Sequence, residues 1–500
     1  MTLSLRVHRL SFAHNDAVPL LDAADFHLSA GWTGLVGENG AGKTTLLRLL
    51  AGELRPDAGH VRCEPPSAAI VSCPQAVEHL TLEIERFAGR SDAVARRLTG
   101  ELELDAGDLQ RWSTLSPGER KRWQIGAALA EDADVLLLDE PTNHLDAAGR
   151  ALLVGALRRF RGVGVVVSHD RPLLAELTGN TLRIHRGSAR IFPGAYESAR
   201  RAWEAEERAE TESHQRKREE QRVIARRLDD ARRTQASADA SRSSKNRMKD
   251  RHDHDARGGL AKGQAAAAEK RAGRTVGVVR RELDRAVEAV SAIAIEKDVG
   301  RSVFVGYTRA PSQWLFQLES KEICAGDAAL LSDVKLALGR DDRVHLEGSN
   351  GAGKTTLLRA LLATARMPAE KILHLPQDLR VDDERALLAE VRALPPAERG
   401  RVLSLVAALG VDPARLLGSA QPSPGEARKL ALALGLGRHA WVCVLDEPTN
   451  HLDLPSIERL EKALVEYPGA LLLVTHDRAL ARACTRTTWT IDRGRVTIAA

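Results

Sequence analysis

The 500-residue sequence predicts an α/β fold that occurs twice, with a long helical segment between the two copies. An octamer, Asp-Glu-Pro-Thr-Asn-His-Leu-Asp, stands at residues 139–146 and recurs letter for letter at residues 446–453. Each octamer follows an apolar run of strand length, which is typical of a buried parallel strand. Between the copies, residues 197–300 are rich in Arg, Lys, Glu and Ala, a composition that favours helix. We therefore interpret the chain as a tandem duplication.

The composition is that of a sizeable globular protein. At about 150 residues per domain the length allows roughly three domains, and 43% hydrophobic residues can fill their cores. No run approaches the roughly 18 apolar residues that span a bilayer, and the first residues lack a secretory apolar core. The five cysteines include no Cys-x-x-Cys pair, which argues against a disulfide framework and against zinc. We expect a reduced, cytoplasmic protein without a membrane segment.

The first copy opens with a phosphate-binding motif. Residues 37–45 match G-x-x-x-x-G-K-T and follow a short apolar run. Glycines let backbone N–H groups converge on phosphates, and a helix that begins near Lys43 adds its positive end. Lys43 would reach the β- and γ-phosphates, and Thr44 would ligate Mg²⁺. The candidate nucleotide-binding residues are Gly37, Asn39, Gly40, Gly42, Lys43, Thr44 and Thr45.

Two carboxylates at the end of the apolar run are candidate catalytic groups. Asp139 would hold Mg²⁺ directly or through a water, and Glu140 would orient and polarise an attacking water. The alternative is a buried strand with a solvated acidic end, but this does not account for the repeated octamer.

Other candidate residues surround these two motifs. Gln75 follows the P-loop. Ser116 and Gly118 precede a helical stretch, where a serine and backbone amides suit a phosphate; a capped surface helix is the alternative. His169 follows a further apolar run, and a histidine at a strand end can touch the γ-phosphate, although a lone histidine there is usually structural. Phe12 could stack on adenine or belong to the core.

The second copy repeats this order at the same intervals. Ser116 to Glu140 and Ser423 to Glu447 span equal numbers of residues, and so do Glu140 to His169 and Glu447 to His476. Equal intervals indicate two copies of one nucleotide-binding domain with a mostly parallel sheet. The second set comprises Gly348, Asn350, Gly351, Gly353, Lys354, Thr355, Thr356, Gln377, Ser423, Gly425, Asp446, Glu447 and His476.

This ordered set resembles the ATP-binding cassette (ABC) superfamily. Two cassettes in one polypeptide, without a membrane segment and with the same octamer in both, resemble more narrowly the ABC-F subfamily of soluble ATPases that act on ribosomes. The resemblance implies two ABC-type P-loop ATPase domains, at residues 1–196 and 301–500, joined by a long α-helical hairpin linker at residues 197–300. It also implies a functional monomer in which two ATP molecules are sandwiched head to tail.

The resemblance assigns residues to two composite sites. Site one would combine Lys43, Thr44, Gln75, Asp139, Glu140 and His169 with Ser423 and Gly425. Site two would combine Lys354, Thr355, Gln377, Asp446, Glu447 and His476 with Ser116 and Gly118. The implied catalytic residues are Glu140, Glu447, His169 and His476. The implied Mg²⁺ ligands are Thr44, Gln75, Asp139, Thr355, Gln377 and Asp446.

The chain departs from the superfamily pattern at a few positions. Pro117 and Pro424 stand where glycine is common, and Pro422 replaces a leucine. Each proline removes a backbone N–H, which would weaken contacts with the γ-phosphate. The position equivalent to Phe12 is Ile323, so adenine stacking in the second cassette has no support.

The segment between the cassettes predicts two polar helices, near residues 197–231 and 265–294, paired as an antiparallel hairpin with ion pairs such as Glu204 with Arg208. About 30 residues per helix would extend roughly 45 Å. The turn between them is basic, with 12 Lys or Arg against 4 Asp or Glu from Arg242 to Arg281. A solvated linker is one interpretation, and a hairpin that contacts RNA phosphates is the other.

In the ABC-F family this linker enters the tRNA exit site of the large ribosomal subunit and points towards the peptidyl-transferase centre. The resemblance therefore implies large-subunit rRNA and tRNA as partners. Residues 250–257 resemble a basic-acidic run of members that protect ribosomes from antibiotics. The interval from Gln75 to Leu115 is too short for the arm subdomain of housekeeping translation factors. We favour antibiotic protection, with a housekeeping translation factor or the ATPase subunit of a drug exporter as alternatives.

Overall fold

The computed structural model describes residues 3–14, 19–143, 145, 147–242, 259–291, 304, 306–326, 328–349 and 351–499. The chain divides into two compact units. One consists of Met1–Ala199 with Val299–Ala500 and contains both cassettes, and the other is Arg200–Asp298.

The first cassette is built on two sheets. The antiparallel sheet has the order β2 (Leu21–Ser29), β1 (Ser4–Phe12), β4 (Ala58–Glu64). The mostly parallel sheet has the order β5 (Ile70–Cys73), β6 (Val135–Asp139), β7 (Val163–Val167), β3 (Gly31–Gly37), β8 (Asn180–His185), β9 (Ser188–Pro193). Its helices are α1 (Lys43–Leu50), α2 (Leu82–Ala88), α3 (Ala93–Glu101), a 3-10 helix (Ala106–Thr114), α4 (Pro117–Ala130), α5 (Ala147–Leu157) and α6 (Arg171–Leu177).

Burial explains why the central strands consist of apolar residues. Every residue of β6 and β7 is buried, as in parallel strands that are covered on both faces. Gly164 interrupts the valines of β7 because the Trp32 ring lies against it, and a Cβ there would come within 2.4 Å of the ring. The carboxyl ends of β3, β6 and β7 meet at one edge of the sheet, where parallel α/β sheets bind ligands.

The second cassette repeats the six-stranded sheet and has a two-stranded hairpin in place of the three-stranded antiparallel sheet. The sheet order is β13 (Ile372–Leu375), β14 (Val442–Asp446), β15 (Ala470–Val474), β12 (Arg343–Gly348), β16 (Thr487–Asp492), β17 (Arg495–Ala499), beside a β10 (Trp314–Ala325) and β11 (Ala328–Gly339) hairpin. The strand order matches that of the first cassette position by position. The predicted duplicated α/β fold is therefore confirmed.

Helices complete the linker unit and the second cassette. The linker contains α7 (Tyr196–Arg242) and α8 (Gly259–Ser291). The second cassette contains α9 (Lys354–Ala363), a 3-10 turn (Ala369–Lys371), α10 (Val381–Ala393), α11 (Pro396–Ala408), α12 (Pro413–Gly418), α13 (Pro424–Gly437), α14 (Leu454–Glu466) and α15 (Arg478–Cys484).

The two linker helices pair antiparallel, as predicted. Val223 and Arg227 of α7 line a common groove with Glu282 and Arg285 of α8, and further along α7 the Gln235 side chain lies 3.7 Å from the position of a Cβ at Gly273, earlier in α8. Helix α7 is longer than predicted: its 47 residues span about 70 Å. Residues 232–242 contain no glycine or proline, so the helix continues past the predicted end.

One predicted linker contact is different. Arg208 donates to the main-chain oxygen of Glu204 at 3.1 Å, while the Glu204 carboxylate lies 3.4 Å from Arg200. The basic-acidic run at residues 250–257 lies outside the described residues, as do residues 243–258 of the predicted basic turn, whereas residues 259–281 belong to α8. Among the residues that are described, no helix is long and apolar enough to cross a membrane.

Candidate nucleotide-binding sites

Each P-loop folds around its own lysine. Gly40 and Gly42 have φ of 80° and 96°, in the left-handed region that favours glycine. This path lets the Lys43 ammonium at the start of α1 donate to the main-chain oxygens of Gly37 and Glu38, at 2.9 and 3.0 Å. Burial lowers the pKa of Lys43, while the carboxylates of Glu140, Asp453 and Asp139 act in the opposite direction. The loop thus holds a buried ammonium group next to the place where nucleotide phosphates are expected to bind.

The second P-loop has the same geometry. Gly351 and Gly353 have φ of 79° and 98°, and Lys354 donates to Gly348 and Ser349 at 2.7 and 3.0 Å. Asn350, predicted to bind nucleotide, lies outside the described residues.

A hydroxyl and a carboxylate face each other beside each P-loop. Thr44 Oγ1 donates to Asp139 Oδ2 at 2.7 Å, and Thr355 Oγ1 donates to Asp446 Oδ2 at 2.9 Å. These hard oxygen donors are of the kind that Mg²⁺ prefers, so the residues fit that ion. Gln75 and Gln377 are exposed.

The main chain is strained at both candidate catalytic glutamates. Glu140 has φ of 47° and Glu447 has φ of 48°, a region that residues other than glycine rarely adopt. Each strained peptide is held by the adjacent strand: the Glu140 N–H donates to Val167 and the Glu447 N–H donates to Val474, both at 2.9 Å. With this positive φ, the main chain leaves the strand direction at each glutamate, at the edge of the sheet.

A histidine fixes each glutamate carboxylate. The His169 N–H donates to Glu140 Oε2 at 3.3 Å, and its ring Nε2 lies 3.1 Å from Oε1. His476 holds Glu447 in the same way, at 3.3 and 3.4 Å. The predicted glutamate and histidine pairs therefore lie together in both cassettes.

Burial shifts the proton affinities of these groups. It raises the pKa of Glu140 to about 8, with the neighbouring Asp139 carboxylate adding to the increase, and it raises the pKa of Glu447 to about 7. Burial also lowers the pKa of His169 to about 3, so its imidazole is neutral at pH 7. A carboxylate whose pKa lies near neutral pH is suited to accept a proton from water.

The serine motifs begin two signature helices, α4 and α13. Ser116 accepts from the Glu119 N–H at 3.2 Å, and Glu119 Oε2 accepts from the Ser116 N–H at 2.7 Å, which completes a capping box. Ser423 and Glu426 form the same box. Pro117 and Pro424 occupy the first helical position, where a backbone N–H has no partner within the helix. The prolines therefore remove no hydrogen bond from the helices.

The first P-loop contacts the second cassette. The Asn39 N–H donates to Asp453 Oδ2 at 2.6 Å, and the Asn39 side chain donates to the main-chain oxygen of His451 at 3.0 Å. A Cβ at Gly425 would lie 2.8 Å from that His451 oxygen and 3.7 Å from Asn39 Nδ2. The first P-loop and the second serine motif thus lie side by side. The equivalent positions at site two are Asn350, His144 and Asp146, and all three lie outside the described residues.

Polar contacts beside site one join the cassettes through α14. Arg171, only 6% exposed, lies 2.7 Å from Glu461 and 3.9 Å from Asp477. Arg459 lies 3.6 Å from Glu38, and the Tyr196 hydroxyl donates to Glu458 at 2.7 Å.

The positions equivalent to Glu458, Arg459 and Glu461 in the first copy are Ala151, Leu152 and Val154, so these polar groups are not repeated at site two.

Comparison with known proteins agrees with this geometry. A family model described as "ABC transporter" matches residues 21–143 and 331–450. The chain is 32% identical to the tylosin resistance ATP-binding protein TlrC of Streptomyces fradiae over 95% of both chains. The chain belongs to the ABC-F subfamily of ABC ATPases. The ribosome protection protein VmlR of Bacillus subtilis (strain 168) is 29% identical over 89% of this chain and 79% of its own length. These two cassettes make the chain an ATP-hydrolysing enzyme.

Solved structures show the same fold. An archaeal ribosome recycling factor, aABCE1, solved in complex with the stalk protein aP1, superposes with a TM-score of 0.60. The match covers 98% of this ABC-F chain and 89% of that chain at 19% identity.

Phe12 and His14 are neighbouring candidates for the adenine contact, and only one of them is exposed. Phe12 is only 9% exposed and packs in the core, and the equivalent Ile323 is buried too. His14, two residues later, is exposed, and its Nε2 lies 3.3 Å from Thr45 Oγ1 beside the P-loop. Of the two interpretations of Phe12, the core is correct. His14 therefore lies beside the P-loop of this ABC-F chain, where Phe12 does not, and Ala325 stands at its position in the second cassette.

Sequence reasoning also missed His451 and Asp453. Asp453 caps α14 through the Ser456 N–H and contacts Asn39 with its other oxygen. Both residues belong to the repeated octamer, and the repetition beyond the two acids was the available signal.

Replacing Glu140 and Glu447 together with Gln should leave ATP binding intact and lower turnover by roughly two orders of magnitude or more. An amide keeps the shape of the carboxylate but cannot accept the proton of water. Phosphate release and equilibrium ATP binding measure the two effects. Glu319→Gln, at an exposed carboxylate of β10, is the control. Wild-type turnover in the double variant would exclude the catalytic role of both glutamates.

Ser423→Arg should separate the first P-loop from the second serine motif, because a long cation cannot fit beside Gly425 and it opposes the helix dipole. Ser116→Arg should act likewise at site two. A distance probe across the cassettes, read with and without ATP, reports closure. Ser423→Ala removes a cap worth about 1 kcal/mol but adds no bulk, so it should still close. Normal closure of Ser423→Arg would contradict the composite arrangement.

Arg171→Met should weaken contact between the cassettes by about 1–3 kcal/mol, because Glu461 loses its charged partner. Urea titration of the distance signal across the cassettes measures this. Arg478 occupies the equivalent position in the second copy and is exposed, so Arg478→Met is the matched control and should change little. Equal effects of the two substitutions would show that the pair with Glu461 does not hold the interface.

Proposed function

We propose that this ABC-F ATPase binds the ribosome near the tRNA exit site and acts through its linker on the peptidyl-transferase region, protecting the ribosome from antibiotics. The observation that carries the proposal is the pair of long, charged, antiparallel helices between two complete cassettes. ATP hydrolysis does not require a polar rod of about 70 Å. Such a pair of helices is, however, suited to contact a second macromolecule.

Similar proteins support this direction. TlrC is named a tylosin resistance protein, and VmlR is named a ribosome protection protein. EttA of Haemophilus influenzae, an energy-dependent translational throttle protein, is 28% identical over 93% of this chain. A translation factor is therefore the second candidate. The short interval from Gln75 to Leu115 favours protection, because it is occupied by α2, α3 and the 3-10 helix.

The geometry of the cassettes suggests how ATP drives the cycle. Lys43 and Lys354 would bind the phosphates, and Asp139 with Thr44 and Asp446 with Thr355 would hold Mg²⁺, which neutralises phosphate charge when bound. Ser423 and Gly425 would face the γ-phosphate at site one, and Ser116 and Gly118 would face it at site two. Each glutamate would take a proton from the attacking water, while its histidine keeps the carboxylate in place. ATP binding would close the cassettes, and hydrolysis would reopen them.

The basic turn is the proposed contact with rRNA and tRNA. Its excess of 12 Lys or Arg over 4 Asp or Glu is larger than the net charge of +5 of the whole chain. A compact run of positive charge releases counterions from nucleic acid, so binding through it is strong and salt-dependent. We expect this protein to act in the cytoplasm as a monomer.

Replacing six cations of the turn with Ala should weaken ribosome binding and leave basal ATPase intact. The substituted residues are Arg242, Lys245, Arg247, Lys249, Arg251 and Arg257. Each lost phosphate contact should lower the slope of log affinity against log salt by roughly 0.7 to 0.9. A matched variant removes six cations from the middle of α7, at Arg216, Lys217, Arg218, Arg222, Arg226 and Arg232. If the first variant binds ribosomes with unchanged affinity and unchanged salt dependence, the turn is only a solvated linker.

Co-purification tests the proposal as a whole. The Glu140→Gln, Glu447→Gln protein should be recovered with ribosomes, and the wild-type chain should raise antibiotic tolerance in cells. Ribosome recovery without a change in tolerance would favour the translation factor. Recovery with a membrane protein instead of ribosomes would favour an exporter subunit and overturn the proposal.

A further inference from the structure

Each signature helix carries a buried cation a short distance beyond its capping serine. Lys121 on α4 is 3% exposed, and its ammonium donates to the main-chain oxygens of Pro74, Gln75 and Asp139 at 2.6, 3.2 and 3.2 Å. These contacts use all three donors of the ammonium. The cation thus binds the loop of the candidate glutamine to the end of the acid strand in the first cassette.

Arg428 on α13 does the same in the second cassette. It is 1% exposed, and its guanidinium donates to the main-chain oxygens of Gln377 at 2.6 Å, Asp446 at 3.2 Å and Glu447 at 2.7 Å. Lysine and arginine differ in shape, yet both reach the glutamine loop and the acid strand. The arrangement is therefore kept in both copies although the residue differs.

Burying these cations is unfavourable. Burial lowers the pKa of Lys121 to about 8 and also lowers the pKa of Arg428. Among the described residues, neither cation has a carboxylate oxygen within 4.0 Å. An apolar side chain would avoid the cost of burying a charge, but it would leave the carbonyl oxygens without donors. The cations are thus suited to holding main-chain segments together.

The same helices contribute to opposite sites. Helix α13 starts with Ser423 and Gly425 beside Asn39 of the first P-loop, while its Arg428 holds the glutamine loop of the second cassette. If site two repeats this arrangement, α4 presents Ser116 to it, while Lys121 holds the glutamine loop of site one. We propose that Lys121 and Arg428 are positioning residues that couple the two ATP sites, each linking the acid strand of one site to the serine motif of the other. This inference rests on the proposed composite sites.

Single-acid backgrounds of the full chain test the coupling. With Glu447→Gln only site one hydrolyses ATP, and with Glu140→Gln only site two does. Lys121→Met should lower kcat at least about tenfold in both backgrounds, with KM for ATP changed less than about threefold because both P-loops are untouched. Site two is the decisive readout, since none of its own P-loop, glutamine or acid residues has changed. Lys121→Arg, the side chain of the second copy, should restore kcat in both backgrounds.

Arg122→Met is the matched control on the same helix. Arg122 donates to the main-chain oxygen of Leu102 at 2.7 Å, outside both sites, so its loss should leave both kcat values within about twofold of their backgrounds. Arg428→Met and Arg428→Lys repeat the test from the second cassette. ATP binding and circular dichroism of Lys121→Met establish that the variant is folded.

The outcomes are distinct. If Lys121→Met lowers kcat only in the Glu447→Gln background, the cation serves its own site and the coupling is refuted. Equal losses of kcat in Lys121→Met and Arg122→Met would also refute the coupling, because any disturbance of helix α4 would then lower kcat. Full turnover in the Glu140→Gln, Glu447→Gln protein would instead overturn the proposed catalytic roles. Ribosome binding is not used, so failure of the linker proposal cannot be mistaken for failure of this one.

Discussion

Each cassette depends on two adjacent acids at the buried end of a parallel strand. Asp139 and Glu140 are almost inaccessible to water, as are Asp446 and Glu447, so their charges must be compensated by the protein or its ligands. The surrounding groups provide compensation: a threonine hydroxyl on the aspartate, the main-chain N–H of His169 on the glutamate and the P-loop lysine nearby. Burial raises the pKa of Glu140, which would suit its proposed role as the acceptor of a proton from water.

The duplicated fold and most of each site could be predicted because their signals are contiguous in the sequence. A P-loop needs its glycines and lysine at fixed spacing, and parallel strands deliver their carboxyl ends to one edge. The contact of Asn39 with Asp453 could not be found in this way, because it joins residues 414 positions apart. The assignment of Phe12 stayed open for a different reason. Strand β1 changes register between Leu10 and Phe12, so alternation alone does not show which residue faces the core.

The two copies have diverged in different parts to different extents. Their octamers are identical, whereas α14 carries Glu458, Arg459 and Glu461 where α5 carries Ala151, Leu152 and Val154. Hydrolysis requires particular residues at the sheet edge. Contact between the cassettes requires only that the two surfaces complement each other. One side of the interface is therefore polar and the other apolar, although both copies carry the same octamer. Asp453 is subject to both constraints, because it caps α14 and also binds the first P-loop.

The proline at the start of each signature helix also affects the chain before any ligand binds. Proline restricts φ to the value that the first helical residue needs, so Pro117 and Pro424 reduce the number of conformations available to the serine motifs. A glycine at the same position would leave many more conformations to be lost when the motif becomes ordered. The ordering entropy is thus lost when the chain folds and not when the two cassettes meet. In the proposed cycle of closing and reopening, this surface would then assemble and separate with little rearrangement of its own.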